Sequence, residues 1–460
     1  MKRSPSKKTQ SKPAPLLIGL DLGTSVIKGV LMDGGGDVLA EAVADTRLIH
    51  PRDSWVEVKP EQHYRNVCGV LRQLAAAAPA EVAALAMAAA SGNTLVTDGD
   101  GCPLTAIINW MDRRAEERPP AAIADLTADA VAQVTGWPCI NSFPLAHLAW
   151  LRENAPVNYR AAAHYGMDTD WLLYRLTGLW CMDHSTATTF HLQDQMSGTY
   201  YEPLLRRLDI PHEKLSPLTR TGQVVGALTA AAARDTGLGS RTQVVTGSFD
   251  HPAAALAAGV LSPGQLMLSC GTSWVGFMPH LDRNDILGAK LLCDPFLSAR
   301  GGPWAGMFSV PCIGRAIEWY IANVIAPNEP DRMSVFSELA AAAKLGAGGL
   351  RIDLHASPQV PSASRANVSR AVMEGAARLL NEKLVELQSF GFQYKRAVMV
   401  GGPSRSSLWR EIVAEITGLE VTAAGRLAGA CGAAILAGIG IGLYRDEHAA
   451  PTGGGNHGEG

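Results

Sequence analysis

Leu16-Leu-Ile-Gly-Leu-Asp21-Leu-Gly23-Thr24-Ser25-Val-Ile-Lys28-Gly-Val-Leu-Met32 is the stretch on which the reading of the fold turns. Two runs of bulky aliphatics flank a Gly-Thr-Ser turn, the pattern of two buried strands joined by a tight hairpin. Gly23 lets the backbone turn sharply and come close to a ligand. Backbone N–H groups in such a turn, with the hydroxyls of Thr24 and Ser25, suit phosphate oxygens. Asp21 ends the first strand, where a lone carboxylate is poorly placed for packing. It suits a hydrated Mg²⁺, which needs only one or two carboxylates beside phosphates. Taken alone, the same stretch reads equally well as a hairpin with a polar turn.

A partial echo later in the chain shifts that balance. Gly264-Gln-Leu-Met-Leu-Ser-Cys270-Gly271-Thr272-Ser273-Trp-Val-Gly-Phe-Met278 repeats the order apolar run, Gly-Thr-Ser, apolar run. Two such hairpins, one near the start and one past the middle, point to two related halves clamping one phosphate chain. Cys270 reads as a small packing residue, since no partner that would make it a nucleophile is visible.

The 460 residues allow two to four domains, and with 47% hydrophobic residues the composition is that of an ordinary globular protein. A net charge of −3 argues against a nucleic-acid binder held by phosphate contacts. Eight scattered cysteines with no Cys-x-x-Cys pair indicate neither a zinc site nor a disulfide framework, and a reducing cytoplasm is the expected home. Residues 1–15 are rich in Lys, Ser and Pro, lack the apolar core of a signal peptide, and read as a disordered basic tail. Leu427 to Leu443 is apolar but Ala- and Gly-dominated and short for a membrane span, so a buried, tightly packed helix is expected. Residues 447–460 read as a frayed Gly-rich tail.

Between these ends, a strand is expected over Val38–Thr46 and a helix over Pro60–Ala76, while Glu81–Ala90 fits either helix or strand. Ala106-Ile-Ile-Asn109-Trp110-Met-Asp112-Arg113-Arg114 is an apolar strand breaking into an aromatic ring, a carboxylate and two guanidiniums. A ring face with a carboxylate beside it can hold a polyhydroxylated ligand, or the same residues can cap a strand end. Asp168 or Asp170 is expected to cap a helix that closes at Gly178. Thr242-Gln-Val-Val-Thr-Gly247-Ser248-Phe249-Asp250-His251-Pro252 is a β-branched strand that presents Asp250 and His251 just before a helix. A carboxylate at a strand-to-helix crevice is where α/β sheets place chemistry. Helices are expected over Ser309–Val324, Arg332–Lys344 and Asn367–Phe390, then a strand over Ala397–Val400. Gly401-Gly402-Pro403-Ser404-Arg405-Ser406 follows as a glycine turn leading into a helix, a shape that lets backbone approach a nucleotide.

Asp21-Leu-Gly-Thr24, Trp110-Met-Asp112, Gly247-x-x-Asp250, Gly271-Thr272 and Gly401-Gly402 resemble, in order and spacing, the motifs of the FGGY carbohydrate kinases. The resemblance runs from about Leu16 to Tyr444. It implies an α/β fold of two ribonuclease-H-like (actin-like ATPase) domains flanking a central catalytic cleft, with an N-terminal unit over 16–259 and a C-terminal unit over 260–446. It also implies ATP and Mg²⁺, and transfer of the γ-phosphoryl group to a hydroxyl of a small sugar, most simply a ketopentose or a related ketose or polyol. In that reading Asp250 is the general base and Asp21 the Mg²⁺-associated carboxylate. Gly23, Thr24, Ser25, Lys28, Gly271 and Thr272 border phosphates, and Gly401, Gly402 and Ser406 border adenosine. Asn93, Trp110, Asp112 and His251 join Asp250 around the sugar, although read from the sequence itself His251 is first a packed neighbour and only then a second base or a hydroxyl contact. The resemblance leaves room for a homodimer and implies neither a nucleic-acid nor a membrane partner.

The chain departs from the family where Asn93 stands for a histidine that contacts sugar in xylulokinases, where Pro403 replaces a third glycine, and where Ala356–Ser369 lacks a Gly-Glu-Arg element. No Gly-x-x-x-x-Gly-Lys-[Ser/Thr] or His-Arg-Asp loop is present, so the P-loop and protein-kinase routes are excluded. An actin-like ATPase of chaperone type, or a non-catalytic sugar or nucleotide sensor, are the alternatives. The first leaves Trp110-Met-Asp112 and Asp250 without a role, and the second leaves Asp21 and Asp250 without one.

Overall fold

The computed structural model describes residues 14–90 and 92–452. β1 (Leu16–Leu22), β2 (Val26–Met32) and β3 (Val38–Asp45) form an antiparallel meander. β4 (Val82–Ala89), the segment open between helix and strand, runs parallel to β1. β5 (Val224–Ala227) forms an antiparallel edge beyond β6 (Gln243–Phe249), which runs parallel to β4, giving the order β5-β6-β4-β1-β2-β3. Strands buried on both faces explain the unbroken apolar runs on either side of Asp21.

The second sheet repeats this plan. β7 (Gln265–Cys270), β8 (Trp274–His280), β9 (Leu292–Asp294), β10 (Trp304–Val310), β11 (Arg396–Gly401) and β12 (Glu420–Ala423) lie in the order β9-β10-β8-β7-β11-β12. β7, β8 and β10 are antiparallel, and β11 and β12 run parallel beside β7, as β4 and β6 do beside β1. Ser309 and Val310, expected to open a helix, instead end β10, because pairing with Val275 and Trp274 of β8 claims them. The helix there spans only Ile313–Tyr320, and its last turn runs on into a wider π-turn.

Six helices position the site. α1 (Pro60–Ala77) starts on Pro60 and lays Val67, Leu71 and Leu74 against the first sheet. α2 (Asp168–Thr177) closes at Gly178, with φ 77°. Its N-cap is Met167, not either aspartate: Asp170 Oδ1 accepts the Met167 N–H, and the Asp168 carboxylate turns elsewhere. α3 (Asp250–Ala257) follows β6, α4 (Arg365–Gln388) spans the second lobe, and α5 (Ser407–Thr417) and α6 (Ala428–Gly440) close the chain.

α3 and α6 knit the halves together. α6 follows the last strand of the second lobe, yet it lies against β1, β4 and β6 of the first sheet and crosses α3. One core therefore contains Val30 and Ala86 from the first sheet and Met267, Phe277 and Val398 from the second. The crossing is close enough that a Cβ on Gly432 would sit 1.8 Å from the Ala253 carbonyl oxygen. That proximity accounts for the Ala/Gly composition of α6, which is buried as expected. Among the described residues no helix is long and apolar enough to cross a membrane.

Residues 447–452, expected to belong to the C-terminal tail, lie against the fold. Glu447 is buried and holds Arg300 at 2.8 Å, and the Pro451 ring packs over Gly36. Residues 1–13 and 453–460, most of the two expected tails, lie outside the described residues. None of the eight cysteines is bonded to another.

Candidate active site

The carboxyl ends of β1, β4 and β6 meet at one edge, because Asp21 pairs with Ala88 and Phe249 with Ala89. Asp21 and Asp250 consequently line a single cleft of about 470 Å³ between the lobes. The opposite wall comes from the second lobe: Met267 and Ser269 of β7, Gly401 and Gly402 at the end of β11, and the segment Ala424–Gly429 that leads into the first turn of α6. Both acids and both glycines singled out in the sequence thus border one cavity.

Both carboxylates of the cleft lie on the first lobe with Lys28 and His251, and Arg405 and Arg426 line it from the second. Burial raises the Asp21 carboxyl to about 6, against the pull of Lys28, whose Nζ stands 3.7 Å away, and with the help of Asp250. Asp250 Oδ1 lies 2.5 Å from His251 Nδ1. Burial works to lower the His251 pKa, but the carboxylates of Asp250, Asp21 and Asp294 outweigh it and hold the imidazolium above its usual range. Asp294 itself is pushed up to about 7 by burial. Its carboxylate takes the Ser185 hydroxyl at 2.8 Å, a hydrogen bond between the lobes beneath the site. His251 thus lines the cavity and is hydrogen-bonded to Asp250.

The remaining expected residues separate into those at the cleft and those held elsewhere. Gly23 and Lys28 line it, while Ser25 is exposed at the tip of the hairpin. Thr24 Oγ1 accepts the Trp110 indole N–H at 2.8 Å, which ties the first hairpin to a ring more than a third exposed, but neither residue is among those that line the cavity. Asn93 is buried and likewise not among the lining residues, its Oδ1 accepting the Trp110 backbone N–H at 3.2 Å. Gly271 and Thr272 are exposed in the second hairpin and do not line the cavity; they pack against Gly314. Gly401 has φ 96°, and a Cβ there would press 2.7 Å from the Cys270 carbonyl, so the turn requires glycine.

Two expectations are corrected. Asp112 is fully buried, and its two oxygens are occupied by the Val56 N–H, the Arg114 N–H and the Arg114 guanidinium, so it braces the loop instead of facing a sugar. Ser406 caps α5 through the Trp409 N–H at 3.4 Å and does not reach the cleft; Ser404 and Arg405 line it instead. Ser269 and Arg426 were also missed. Ser269 occupies in the second hairpin the position Asp21 holds in the first, so aligning the two repeats residue by residue reveals it. Arg426, 3.3 Å from Glu41 of β3, carries no local signal, because only the return of α6 to the first lobe brings it there.

No group of three or more His, Cys, Asp or Glu side chains is arranged to hold a metal ion among the described residues. A cation held wholly by protein does not fit this donor set. A divalent ion carried on phosphates and touched by one recessed carboxylate does, and Asp21 offers that oxygen beside the turn of the first hairpin.

Two lobes of repeated topology, with acids on one wall and glycine backbone on the other, define a phosphotransferase of the actin-like ATPase fold. The chain belongs to the FGGY family of carbohydrate kinases: residues 16–257 match the model of its N-terminal domain and residues 352–441 that of its C-terminal domain. It is a sugar kinase, and enzymes of this family use ATP. The chain is 29% identical to an autoinducer-2 kinase of Klebsiella pneumoniae subsp. pneumoniae over 94% of its own length and 86% of the relative's. It superposes on the xylulose kinase from Rhodospirillum rubrum with a TM-score of 0.79 at 27% identity, covering 92% of this chain and 90% of that one. The gluconate kinase from Lactobacillus acidophilus shares the fold, with a TM-score of 0.83 at 21% identity over 95% and 91% of the two chains.

Proposed function

We propose that this kinase transfers the γ-phosphoryl group of ATP to a hydroxyl of a small ketose or polyol, with a ketopentose as the leading acceptor class, and that Asp250 is its general base. The observation that carries the reading is the placement of Asp21 and Asp250 on one cleft that also contains Lys28 and the Gly401-Gly402 turn. The 27% identity to a xylulose kinase across nine-tenths of both chains supports the acceptor class.

Phosphoryl transfer passes through a loose transition state, so positioning and charge neutralisation matter more than covalent participation. Mg²⁺ on the nucleotide would neutralise charge on the phosphates, with Asp21 as its protein ligand. Lys28 adds a cation on the same wall, and the backbone of the Gly401-Gly402 turn admits the nucleoside closely. Asp250, held by His251, accepts the proton of the attacking hydroxyl, while Trp110 offers a ring face to the C–H edge of the acceptor. Closure of the lobes keeps out water, the competing acceptor.

A second acceptor class, that of the autoinducer-2 kinases, is favoured by 27–29% identity over 93–95% of the chain. One experiment separates these readings: ADP release measured across pentuloses, hexuloses, tetruloses, polyols and autoinducer-2. A ketopentose is expected to give the highest kcat/KM. Autoinducer-2 above all sugars would establish the second class, and ADP release unchanged by any acceptor would replace both with an ATPase.

A further inference from the structure

Behind the cleft, one chain of hydrogen bonds runs from the second lobe to the residue directly before Asp250. Asp294, the last residue of β9, is fully buried. Its Oδ1 accepts the Phe296 N–H and its Oδ2 the hydroxyl of Ser185, each at 2.8 Å. Ser185 belongs to the first lobe, in the short helix His184–Phe190, and is buried as well. Its Oγ accepts the backbone N–H of Phe249 at 3.2 Å. Phe249 ends β6 and is the N-cap of α3, and its ring centre lies 5.1 Å from that of His251, the partner of Asp250.

The end of β6 has little else to hold it. Its register against β4 shifts between Val245 and Ser248. At the shift Gly247 passes so near β4 that a Cβ there would stand 1.7 Å from the Met87 carbonyl oxygen. Phe249 brings no polar side chain to cap α3, and the Ser185 hydroxyl bonds this turn instead. The residue type at 294 suits the task, because both of its neighbours are donors and a carboxylate accepts from both. An amide in its place would be turned by the fixed Phe296 N–H and would present its NH₂ to Ser185. A buried carboxylate is less stable than a neutral group of the same shape, so packing alone does not call for one here.

We propose that Asp294 is a positioning residue for phosphoryl transfer: acting from the second lobe through Ser185, it holds the turn at Phe249 and so sets the Asp250 carboxylate against the acceptor hydroxyl. This rests on reading Asp250 as the general base of a sugar kinase. In a reaction governed by alignment, a small displacement of the base lowers turnover and leaves ground-state binding unchanged. The position of the base thus depends on both lobes and not on the first alone.

The test measures kcat and both KM values for the full-length wild type, Ser185→Ala, Asp294→Asn, their double variant and Ser185→Thr, with the best acceptor from the screen. The assay is run at about pH 8, above the value of about 7 to which burial raises the Asp294 carboxyl, so that the carboxyl is ionised. Ser185→Ala and Asp294→Asn should each lower kcat about tenfold, the scale of one net hydrogen bond. The KM for ATP and for the acceptor should stay within about twofold. The double variant should be no slower than the slower single one, since both break the same chain. Ser185→Thr keeps the hydroxyl, and two small cavities border residue 185, giving the extra methyl somewhere to lie. It should recover kcat to within about threefold of wild type. If Asp294→Asn does not fold, the contrast between Ser185→Ala and Ser185→Thr decides. Wild-type kcat in Ser185→Ala or Asp294→Asn, losses that multiply to about a hundredfold in the double variant, or Ser185→Thr as slow as Ser185→Ala would reduce Asp294 to a packing group. A wild type that phosphorylates no acceptor, or full activity in Asp250→Ala, would overturn the reading of the site and this inference together. An active wild type that needs Asp250 but is indifferent to residues 185 and 294 would overturn this inference alone.

Discussion

The two lobes share a sheet plan but divide the chemistry unequally. β1 corresponds to β7, β2 to β8, β3 to β10, β4 to β11 and β6 to β12. In that correspondence Asp21 faces Ser269, Lys28 faces Gly276, and Asp250, which follows β6, faces Ala424, which follows β12. The ionisable groups at the three equivalent positions all belong to the first lobe, and the second offers a hydroxyl and small neutral residues. A repeated sheet plan can thus place both carboxylates on one wall opposite a wall of glycine backbone and the guanidiniums of Arg405 and Arg426.

Breaking this asymmetry at Asp250 should have the largest effect. Asp250→Ala, which makes the first lobe resemble the second at Ala424, should lower kcat by ~10²–10⁴-fold. ATP binding, followed by calorimetry, should change little, and full activity would remove Asp250 from the mechanism. Asp21→Ser imports the residue of the second hairpin. It should cost roughly 10²–10³ in kcat, with a steeper Mg²⁺ requirement read from a metal titration; an unchanged requirement would free Asp21 of that role.

The same variant carries a pH signature in the ligand-free protein. The Asp21 carboxyl sits near 6 in the fold and near ~4 in an unfolded chain. Across that window the folded state keeps a proton that the unfolded state releases, so stability falls as pH rises from about 4 to about 6. Asp21→Ser should flatten the Tm profile there, and a slope equal to that of the wild type would mean the carboxyl is not strained by burial. The smallest effect belongs to Ser406→Ala, which removes the α5 cap. It should cost ~1 kcal/mol of stability in denaturant unfolding and leave the KM for ATP unchanged.

Much of this was legible where the information is local. The hairpin around Asp21, its echo at Gly271, Asp250 at a strand-to-helix junction and the buried Ala/Gly helix each announce themselves by short-range pattern. The failures share a different cause. Asp112 was read as a sugar contact because Trp-Met-Asp gives no hint that Val56 and Arg114 consume both of its oxygens. Asp168 was read as a helix cap because nothing adjacent to it shows that Asn93, 75 positions earlier, claims the carboxylate. Ser309 was placed in a helix because its strand partner, Val275, lies 34 residues upstream.

Residue order alone determined the doubled hairpin and the two acids at strand ends, since strand alternation, glycine turns and strand-end carboxylates are properties of neighbours in the chain, and the class of chemistry came with the motifs' resemblance to the FGGY kinases. The tertiary structure decided which polar groups are free to meet a ligand. It carried α6 back across α3 onto the first sheet, sealed Asp112 inside its loop and paired Asn93 with Asp168. Hydrogen-bond capacity is finite, and whether a donor or acceptor is already spent depends on partners that only folding brings within about 3 Å.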